Sequence, residues 1–418
     1  MIKLDTSWLQ HVQKPARYTG GELNSVVKNH KDVDVTIAMS LPDVYEVSMS
    51  HLGIRILYGL INEREDAYAE RVFAPWIDME EEMRKRHIPL FYLETRTPIK
   101  DFDMLGVSLQ YEMSYTNILN MLDLAGMPIW AKDRDLDMPL VIAGGPCAYN
   151  VEPIAEFLDV VTLGESEEWF HEFIDCYKAE KKAGFPGGKE GLLRKLSQIP
   201  GTYCPALYDV SYTESGDFKK IIPRFPEVPL KIQKRIVEDV ESVYYPTKPI
   251  VPFIDIVHDR AVLELFRGCS RGCRFCQAGM LYRPVREKTP ERLYGLAKEV
   301  IKNTGYNEIS LMSLSSADYS MLPELVDMLM GEFQDKKVSV SLPSLRIDAF
   351  CIDIAKRVQQ VRKSGLTFAP EAGTQRMRDV INKGVSEEDL MAACTSAFKS
   401  GWNTVKLYFM MGLPTETD

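Results

Sequence analysis

The sequence predicts an α/β protein made of two successive units, each built on a parallel sheet. Apolar runs of strand length alternate along the chain with amphipathic stretches of helical length, which is typical of a parallel sheet covered on both faces. A stretch rich in glycine and proline over residues 183–255 interrupts this alternation, which resumes at Val262. A loop with three cysteines directly follows the first strand of the second run.

The first unit is predicted over residues 31–182, after a polar arm over residues 1–30. Gly144-Gly145-Pro146 and residues 164–168 each follow a predicted strand. Ligands bind at the carboxyl ends of parallel strands, so these turns are candidate ligand contacts, and tight turns without a ligand are the alternative. Strands are predicted at residues 33–39, 90–94, 104–109 and 140–143, and helices at residues 50–62, 79–86, 115–125 and 167–179.

The second unit is predicted over residues 256–418, and residues 183–255 form a proline-rich connector with a small β element at residues 206–212. Thr289 is a suitable helix N-cap because Pro290 and Glu291 follow it, and Gly305 is placed to end that helix. Strands are predicted at residues 262–266, 309–314, 338–342, 366–369 and 405–411, and further helices at residues 323–333, 350–361 and 387–400.

The composition is that of an ordinary globular protein, with 45% hydrophobic and 26% charged residues. The formal net charge of −10 provides no global basic field for nucleic acid, although a local basic groove for RNA stays open. No apolar run approaches the roughly 18–20 residues that a membrane-spanning helix needs, and the first residues lack the apolar core of a signal peptide. Eight cysteines, three of them clustered, favour a reducing cytoplasm over a disulfide framework.

Cys269, Cys273 and Cys276 form a CxxxCxxC triplet on a glycine-containing loop after an apolar strand. Three thiolates this close can bind a cubane iron–sulfur cluster, which usually takes four cysteines, so one iron keeps an open position for a substrate or cofactor. A tetrahedral zinc site is the alternative, but it needs a fourth ligand. His258 is the nearby candidate, eleven residues upstream of Cys269.

This triplet, with Phe275 before the last cysteine, resembles the signature of the radical S-adenosylmethionine (SAM) superfamily. The resemblance implies an enzyme in which SAM chelates the open iron of a [4Fe-4S] cluster. One electron from the cluster then cleaves SAM to methionine and a 5′-deoxyadenosyl radical, which abstracts hydrogen from a substrate. It also implies that residues 256–418 form a partial (β/α)6 radical SAM barrel. The sequence accounts for five of its strands, so we expect a truncated core that lacks the sixth βα unit.

Residues 31–182 resemble the cobalamin-binding-type Rossmann domain that precedes many radical SAM barrels. The resemblance rests on the glycine turns above and on KPARYTGGELNSV, SLPDVYEVSMSHLGIRILY, ERVFAPWIDME and LGVSLQYEMSYTNILNMLDLAG. It implies cobalamin as a further candidate cofactor. Domains that ligate cobalt through histidine carry a D-x-H-x-x-G loop, but here Met49 replaces the aspartate and Gly53 follows His51 one residue early. We therefore expect His51 to cap or pack the helix start rather than to bind cobalt.

Polar residues after the barrel strands are the predicted contacts of SAM, because sites in α/β barrels lie at the carboxyl ends of strands. Glu371 resembles the acidic residue that contacts the ribose or the methionyl group, and Arg376 resembles a second polar anchor. Arg346 suits the methionyl carboxylate, with a surface arginine as the alternative. Ser315 stands where the family has a Gly-Gly-Glu-like turn, and Gly412 matches the turn whose backbone lies near the adenine.

The leading function is therefore a radical SAM enzyme whose substrate the sequence does not identify. A tRNA methylthiotransferase is one alternative, and it would need a second cluster on Cys147, Cys176 and Cys204. A cobalamin-dependent radical methyltransferase and a non-enzymatic iron–sulfur scaffold or redox sensor are the others. The expected partners are the small-molecule cofactor and an electron donor such as flavodoxin or ferredoxin, with an RNA or peptide substrate left open and no membrane.

The cysteine triplet yields a first prediction. Anaerobic reconstitution should give about four irons per chain, the content of one cubane cluster. Cys273→Ala should abolish cluster formation, measured as protein-bound iron and sulfide. A full cluster retained in that variant would contradict the assignment, and an iron content near eight would instead favour the methylthiotransferase.

Overall fold

The structure is a computed structural model that describes residues 6–343, 346–347 and 365–417. The helix predicted at residues 350–361 lies outside the described residues. The chain divides into two compact units, the first formed by Met1–Val237 with Tyr244–Asp259 and the second by Glu238–Val243 with Arg260–Asp418. The boundaries predicted at residues 30/31 and 182/183 remain predictions.

A six-stranded sheet forms the centre of the first unit, in the order β2-β1-β3-β4-β5-β6. Five strands are parallel, and β6 pairs antiparallel with β5. The two neighbours of β1 lie on opposite sides of it, which creates a topological switch point between β1 and β3 at the carboxyl edge. The strands are β1 (Val35–Leu41), β2 (Ala67–Phe73), β3 (Met104–Ser108), β4 (Leu140–Gly144), β5 (Val160–Thr162) and β6 (Thr202–Tyr203).

Helices cover this sheet because each has one apolar stripe to bury. In the longest of them, Trp169, Phe173 and Tyr177 recur at helical spacing and are buried in the core. The helices are α1 (Tyr45–Ser48), α2 (Leu52–Asn62), α3 (Ile77–Arg86), α4 (Tyr115–Leu124), α5 (Glu167–Lys182) and α6 (Gly188–Leu196). A hairpin of β7 (Tyr208–Tyr212) and β8 (Phe218–Pro223) follows, at the position of the predicted small β element.

One strand prediction for the first unit is wrong. Residues 90–94 do not form a strand, and β2 is instead Ala67–Phe73, whose apolar run is interrupted by Glu70 and Arg71. These two charges are tolerated because partners surround them: Arg71 pairs with Glu22 at 2.7 Å and with Glu94 at 2.6 Å, all three side chains being at most 1% exposed. The predicted apolar run lies along the outer side of β2, where Leu93 N–H donates to Arg71 O.

Among its described residues, the second unit contains two parallel sheets and a short antiparallel pair. The parallel sheets have the orders β13-β12-β9 and β14-β15, and β10 pairs with β11. The strands are β9 (Ala261–Glu264), β10 (Phe266–Arg267), β11 (Arg286–Glu287), β12 (Glu308–Met312), β13 (Ser339–Ser341), β14 (Leu366–Glu371) and β15 (Val405–Phe409). The helices are α7 (Ala278–Leu281), α8 (Pro290–Thr304), α9 (Leu322–Phe333), α10 (Gln375–Val380) and α11 (Glu387–Lys399).

Two predicted helix caps are confirmed. Thr289 Oγ1 accepts from Arg292 N–H at 3.2 Å at the start of α8, and Gly305 ends that helix in the left-handed conformation. His51 caps α2, since its Nδ1 accepts from Ile54 N–H at 3.2 Å.

No helix within the described ranges combines the length and apolar character required to cross a membrane.

The His51 cap makes the stability of the first unit depend on pH. Burial lowers the pKa of His51 to about 4 and the charge of Arg55 adds to this, whereas a hydrogen bond to the Gln110 side chain, which favours the protonated ring, opposes it. The unfolded chain takes up this proton near pH 6.5, so the contribution to stability is complete above that pH and is lost as the pH falls toward 4. His51→Asn should keep a cap acceptor and remove the titration.

Urea unfolding at pH 7 and pH 5 tests this. From pH 7 to pH 5, the free energy of unfolding should fall by about 1–2 kcal/mol more in wild type than in His51→Asn. The contributions of the other titrating groups cancel in this comparison. An equal pH dependence in the two proteins would show that the neutral ring is not held in the folded state.

Candidate functional site

The three predicted cluster cysteines lie on one loop between β10 and α7. Gly268 starts the loop with φ of 93°, and a Cβ there would lie 2.5 Å from Pro284 O, so only glycine allows this close approach of the two chain segments. Cys273 is buried, whereas Cys269 and Cys276 are partly exposed. The loop thus presents two thiols toward its surface and covers the third.

The donor chemistry of this loop fits a cubane cluster. Gly279 N–H donates to Cys276 Sγ at 3.3 Å, so a backbone amide faces this sulfur. Within the described residues, no three cysteine, histidine or carboxylate side chains converge closely enough to hold a single metal ion. A cubane does not need that convergence, because each cysteine binds a different corner of the cluster.

An ion pair joins the cluster loop to the segment after β12. Arg271 Nε donates to Asp318 Oδ2 at 2.9 Å, and Arg271 Nη2 contacts the other carboxylate oxygen. Partial burial of Asp318 opposes its ionisation, yet the hydrogen bond from Arg271 keeps the pKa of the carboxyl below its usual value. This two-point contact fixes the first half of the loop.

A buried charge group lies at the end of the cluster strand. Glu264, the last residue of β9, accepts from Lys288 Nζ at 2.8 Å and from Arg267 Nε at 3.1 Å, and the Lys288 side chain is only 1% exposed. Burial acts to raise the pKa of Glu264, but Arg267 and Lys288 hold it below its usual value. The sequence analysis did not predict this group of charges. The feature that could have indicated it is Glu264, a carboxylate in an otherwise apolar strand.

Glu371 ends β14 at the position that the sequence predicts for a SAM contact. Its backbone has φ of 67°, a left-handed conformation that is rare for a residue other than glycine. Its Oε1 accepts from Lys383 Nζ at 3.1 Å, and the same ammonium lies 5.8 Å from the ring centroid of Phe275. The carboxylate is therefore connected through Lys383 to the residue that precedes Cys276.

Arg346 lies near the Glu371–Lys383 pair, and Ser315 lies near the Arg271–Asp318 ion pair. Arg346 Nη2 donates to Lys383 O at 3.1 Å, and its charge also acts on Asp318. Ser315 is 2% exposed, and its carbonyl accepts from Asp318 N–H at 2.9 Å. Arg346 is thus tied to the Glu371 side of the site, while Ser315 supports the aspartate that holds the cluster loop.

Arg376 and the turn that contains Gly412 contact each other. Arg376 Nη1 and Nη2 donate to Thr415 Oγ1 at 3.2 Å and to Thr415 O at 3.0 Å. Gly412 has φ of 77°, and its N–H donates to Glu416 Oε2 at 2.6 Å. The structure brings these two predicted residues together, with Arg376 holding the turn after β15.

The cysteines that a second cluster would need do not form a comparable site. Cys147 and Cys204 are buried, and burial raises the pKa of both thiols. Cys204 Sγ donates to Leu193 O at 3.6 Å, and Cys176 lies within α5, where burial raises its pKa as well. These thiols have the environment of small apolar core residues.

The fold and the cysteine loop define a radical SAM protein, and the chain belongs to the radical SAM superfamily. Residues 263–418 match the family described as "Radical SAM superfamily", and residues 53–205 match "Radical SAM proteins, N-terminal". An uncharacterised protein of Methanocaldococcus jannaschii is 30% identical over 388 residues, which is 91% of this chain and 70% of that protein. The ribosomal protein uS12 methylthiotransferase RimO of Prochlorococcus marinus is 27% identical over 38% of this chain and 32% of its own length.

Two solved structures share the fold along nearly the whole chain. The cobalamin-dependent SAM radical enzyme OxsB, with aqua-cobalamin bound, superposes with a TM-score of 0.57 at 14% identity, covering 90% of this chain and 49% of OxsB. The radical SAM methyltransferase TsrM from Kitasatospora setae, with cobalamin and a [4Fe-4S] cluster bound, gives 0.59 at 12% identity, covering 91% of this chain and 70% of TsrM. The chain thus spans about half the length of OxsB.

These findings confirm the predicted fold class, a Rossmann-like parallel-sheet unit followed by a partial (β/α)6 radical SAM barrel. The superfamily consists of enzymes, and its cofactors are a [4Fe-4S] cluster and SAM. Its members use small-molecule cofactors together with an electron donor. Which individual residues hold the cofactors remains a prediction.

Proposed function

We propose that this chain holds one [4Fe-4S] cluster on Cys269, Cys273 and Cys276 and uses it to cleave SAM reductively. The observation that carries the proposal is the connection of the cysteine loop to Glu371 through Lys383 and Phe275. A cluster held by these three thiolates would supply the single electron that cleaves the sulfonium of SAM and so provide radical chemistry for hydrogen abstraction from a substrate.

The chain's own residues would bind and orient SAM and hold the cluster loop in position. The Glu371 carboxylate can accept two hydrogen bonds from the ribose hydroxyls or the methionyl ammonium, and Arg346 can pair with the methionyl carboxylate as a bidentate cation. Arg376 keeps the Gly412 turn in place through Thr415, so that its backbone can lie along the adenine. Ser315 acts through Asp318 by supporting the cluster loop.

Two of the alternatives have less support. A methylthiotransferase would need a second cluster, and two of its three candidate thiols are buried with raised pKa values. A non-enzymatic scaffold would have no need for Glu371 in a left-handed conformation at a strand end, since such strain is typical of functional sites.

The finer assignments of partner and compartment also belong to the proposal. Flavodoxin or ferredoxin suits the role of electron donor, because the cluster needs one electron at a low potential. A cytoplasmic location fits the free thiols of all seven cysteines that the structure describes. The substrate class, whether RNA, peptide or metabolite, stays open.

Adding SAM to the reduced, reconstituted protein should change the electron paramagnetic resonance spectrum of the cluster, because one iron has an open position. Glu371→Ala should weaken SAM binding roughly tenfold, as expected when a charged hydrogen-bond acceptor is lost, while the iron content stays intact. Titration of the spectral change with SAM measures this. Glu332→Ala is the matched control, since Glu332 pairs with Lys336 on the surface of α9.

If wild type shows no spectral change at saturating SAM, the proposed function is wrong and the result supports the non-enzymatic scaffold. Equal SAM affinity in wild type and Glu371→Ala would instead remove Glu371 from the site.

A second candidate is a cobalamin-dependent radical methyltransferase that binds cobalamin without a histidine ligand. His51 already caps α2, since its Nδ1 accepts from Ile54 N–H, so we do not expect it to bind cobalt. The glycine turns leave no open cradle either, since a Cβ on Gly145 would lie 2.7 Å from Leu109 O. The favourable observation is the set of exposed apolar side chains in the segments after β2 and β3, namely Trp76, Tyr111 and Met113. Such a surface suits the flat corrin ring.

Anaerobic incubation with hydroxocobalamin, desalting and a visible spectrum test this candidate. Wild type and His51→Ala should retain cobalamin equally, and Met113→Glu should lose it, because a carboxylate would then lie against the ring. Met391→Glu, at another exposed methionine in α11, is the control. Retention that disappears in His51→Ala would show that the histidine is a ligand, and no retention by wild type would remove this candidate.

A further inference from the structure

The cluster loop has little regular structure of its own between Gly268 and Ala278. Its shape therefore depends on what packs against it. One contact is the Arg271–Asp318 ion pair, and another is the segment that begins at the end of α10. We call residues 380–383 the docking segment.

The docking segment holds the middle of the cluster loop through two hydrogen bonds to the backbone of the loop. Arg274 N–H donates to Ile381 O at 2.9 Å, and Asn382 Nδ2 donates to Gly272 O at 2.9 Å. Asn382 itself has φ of 52°, so its backbone is in the left-handed region. These two hydrogen bonds anchor the residues on either side of Cys273.

Arg378, in the adjoining helix α10, fixes the shape of the docking segment. Its side chain is buried, with the residue 1% exposed, and it donates to Val385 O at 2.9 Å and to Ala372 O at 3.1 Å. Lys383 N–H donates to Arg378 O at 2.9 Å. Arg378 and Val385, which flank the segment, are thus tied to each other and to the residue that follows β14, so the position of Lys383 is set by the fold.

Lys383 connects three parts of the site at once. Its ammonium pairs with Glu371 and lies over the ring of Phe275, and the side chain as a whole is only 11% exposed. Its carbonyl accepts from Arg346 Nη2. A single residue therefore joins the cluster loop to both charged side chains that are proposed to bind SAM.

We propose that Lys383 is a positioning residue that locks the cluster loop and the SAM-binding side chains into one arrangement. This inference rests on the proposed function for its SAM part only. The ammonium is partly desolvated between a carboxylate and an aromatic face, where both contacts are stronger than in water. Removing it frees the Glu371 side chain and releases Phe275, the neighbour of Cys276.

The test compares Lys383→Met and Lys383→Arg with Lys336→Met. Lys336 pairs with Glu332 and lies 5.7 Å from the ring centroid of Phe333, the same set of groups on the surface of α9. Each reconstituted protein is challenged anaerobically with an iron chelator, and SAM affinity is measured from the change in the cluster's paramagnetic resonance spectrum. Thermal unfolding reports overall stability.

Lys383→Met should lose iron faster than wild type and bind SAM roughly tenfold more weakly, with an unchanged melting temperature. Lys383→Arg should restore most of both properties, and Lys336→Met should match wild type. If Lys383→Met fails to fold, Phe275→Leu removes the other side of the same contact and should also speed iron loss. Iron loss at the wild-type rate in whichever variant folds overturns the proposal.

The two proposals fail in different ways. If wild type holds its cluster but does not respond to SAM, the proposed function is wrong. Faster iron loss in Lys383→Met would then still support the locking role.

Discussion

Three thiolates on an irregular loop can hold a cluster only if other parts of the fold fix that loop. Arg271 does this on one side through Asp318, and the docking segment does it on the other through Gly272 and Arg274. One contact comes from the segment after β12 and the other from the end of α10, the helix that follows β14, so the position of the cysteines depends on the fold of the second unit. Two of the carboxylates near the loop, Glu264 and Glu371, are the last residues of β9 and β14.

In the first unit, a group of charged side chains is buried at the edge of the sheet. Arg71 is shared between Glu22 and Glu94 inside the sheet edge, and all three side chains are nearly inaccessible. Removing one partner of such a group leaves an uncompensated charge, which costs more than the pair contributes. This network connects the N-terminal arm to β2 and to the segment that covers it. It explains why a strand that carries two charges can lie at the side of a parallel sheet.

The sequence predicted the parts of the site that depend on local pattern. The spacing of Cys269, Cys273 and Cys276, the Thr289 cap and the His51 cap are all local features. Lys383 was missed because its contacts with Glu371 and Phe275 join residues far apart in sequence. The strand prediction at residues 90–94 was wrong for a related reason: an apolar run reports burial, but burial alone does not distinguish a strand from a segment that covers one.

The central claim is that three cysteines hold one cubane cluster whose fourth iron stays open for SAM. Mössbauer spectroscopy of protein reconstituted with ⁵⁷Fe tests this most directly, because it distinguishes irons by their ligands. We expect the signal of about one iron in four to change when SAM is added, while the three cysteine-bound irons keep theirs. Four irons that stay equivalent with and without SAM would contradict the account.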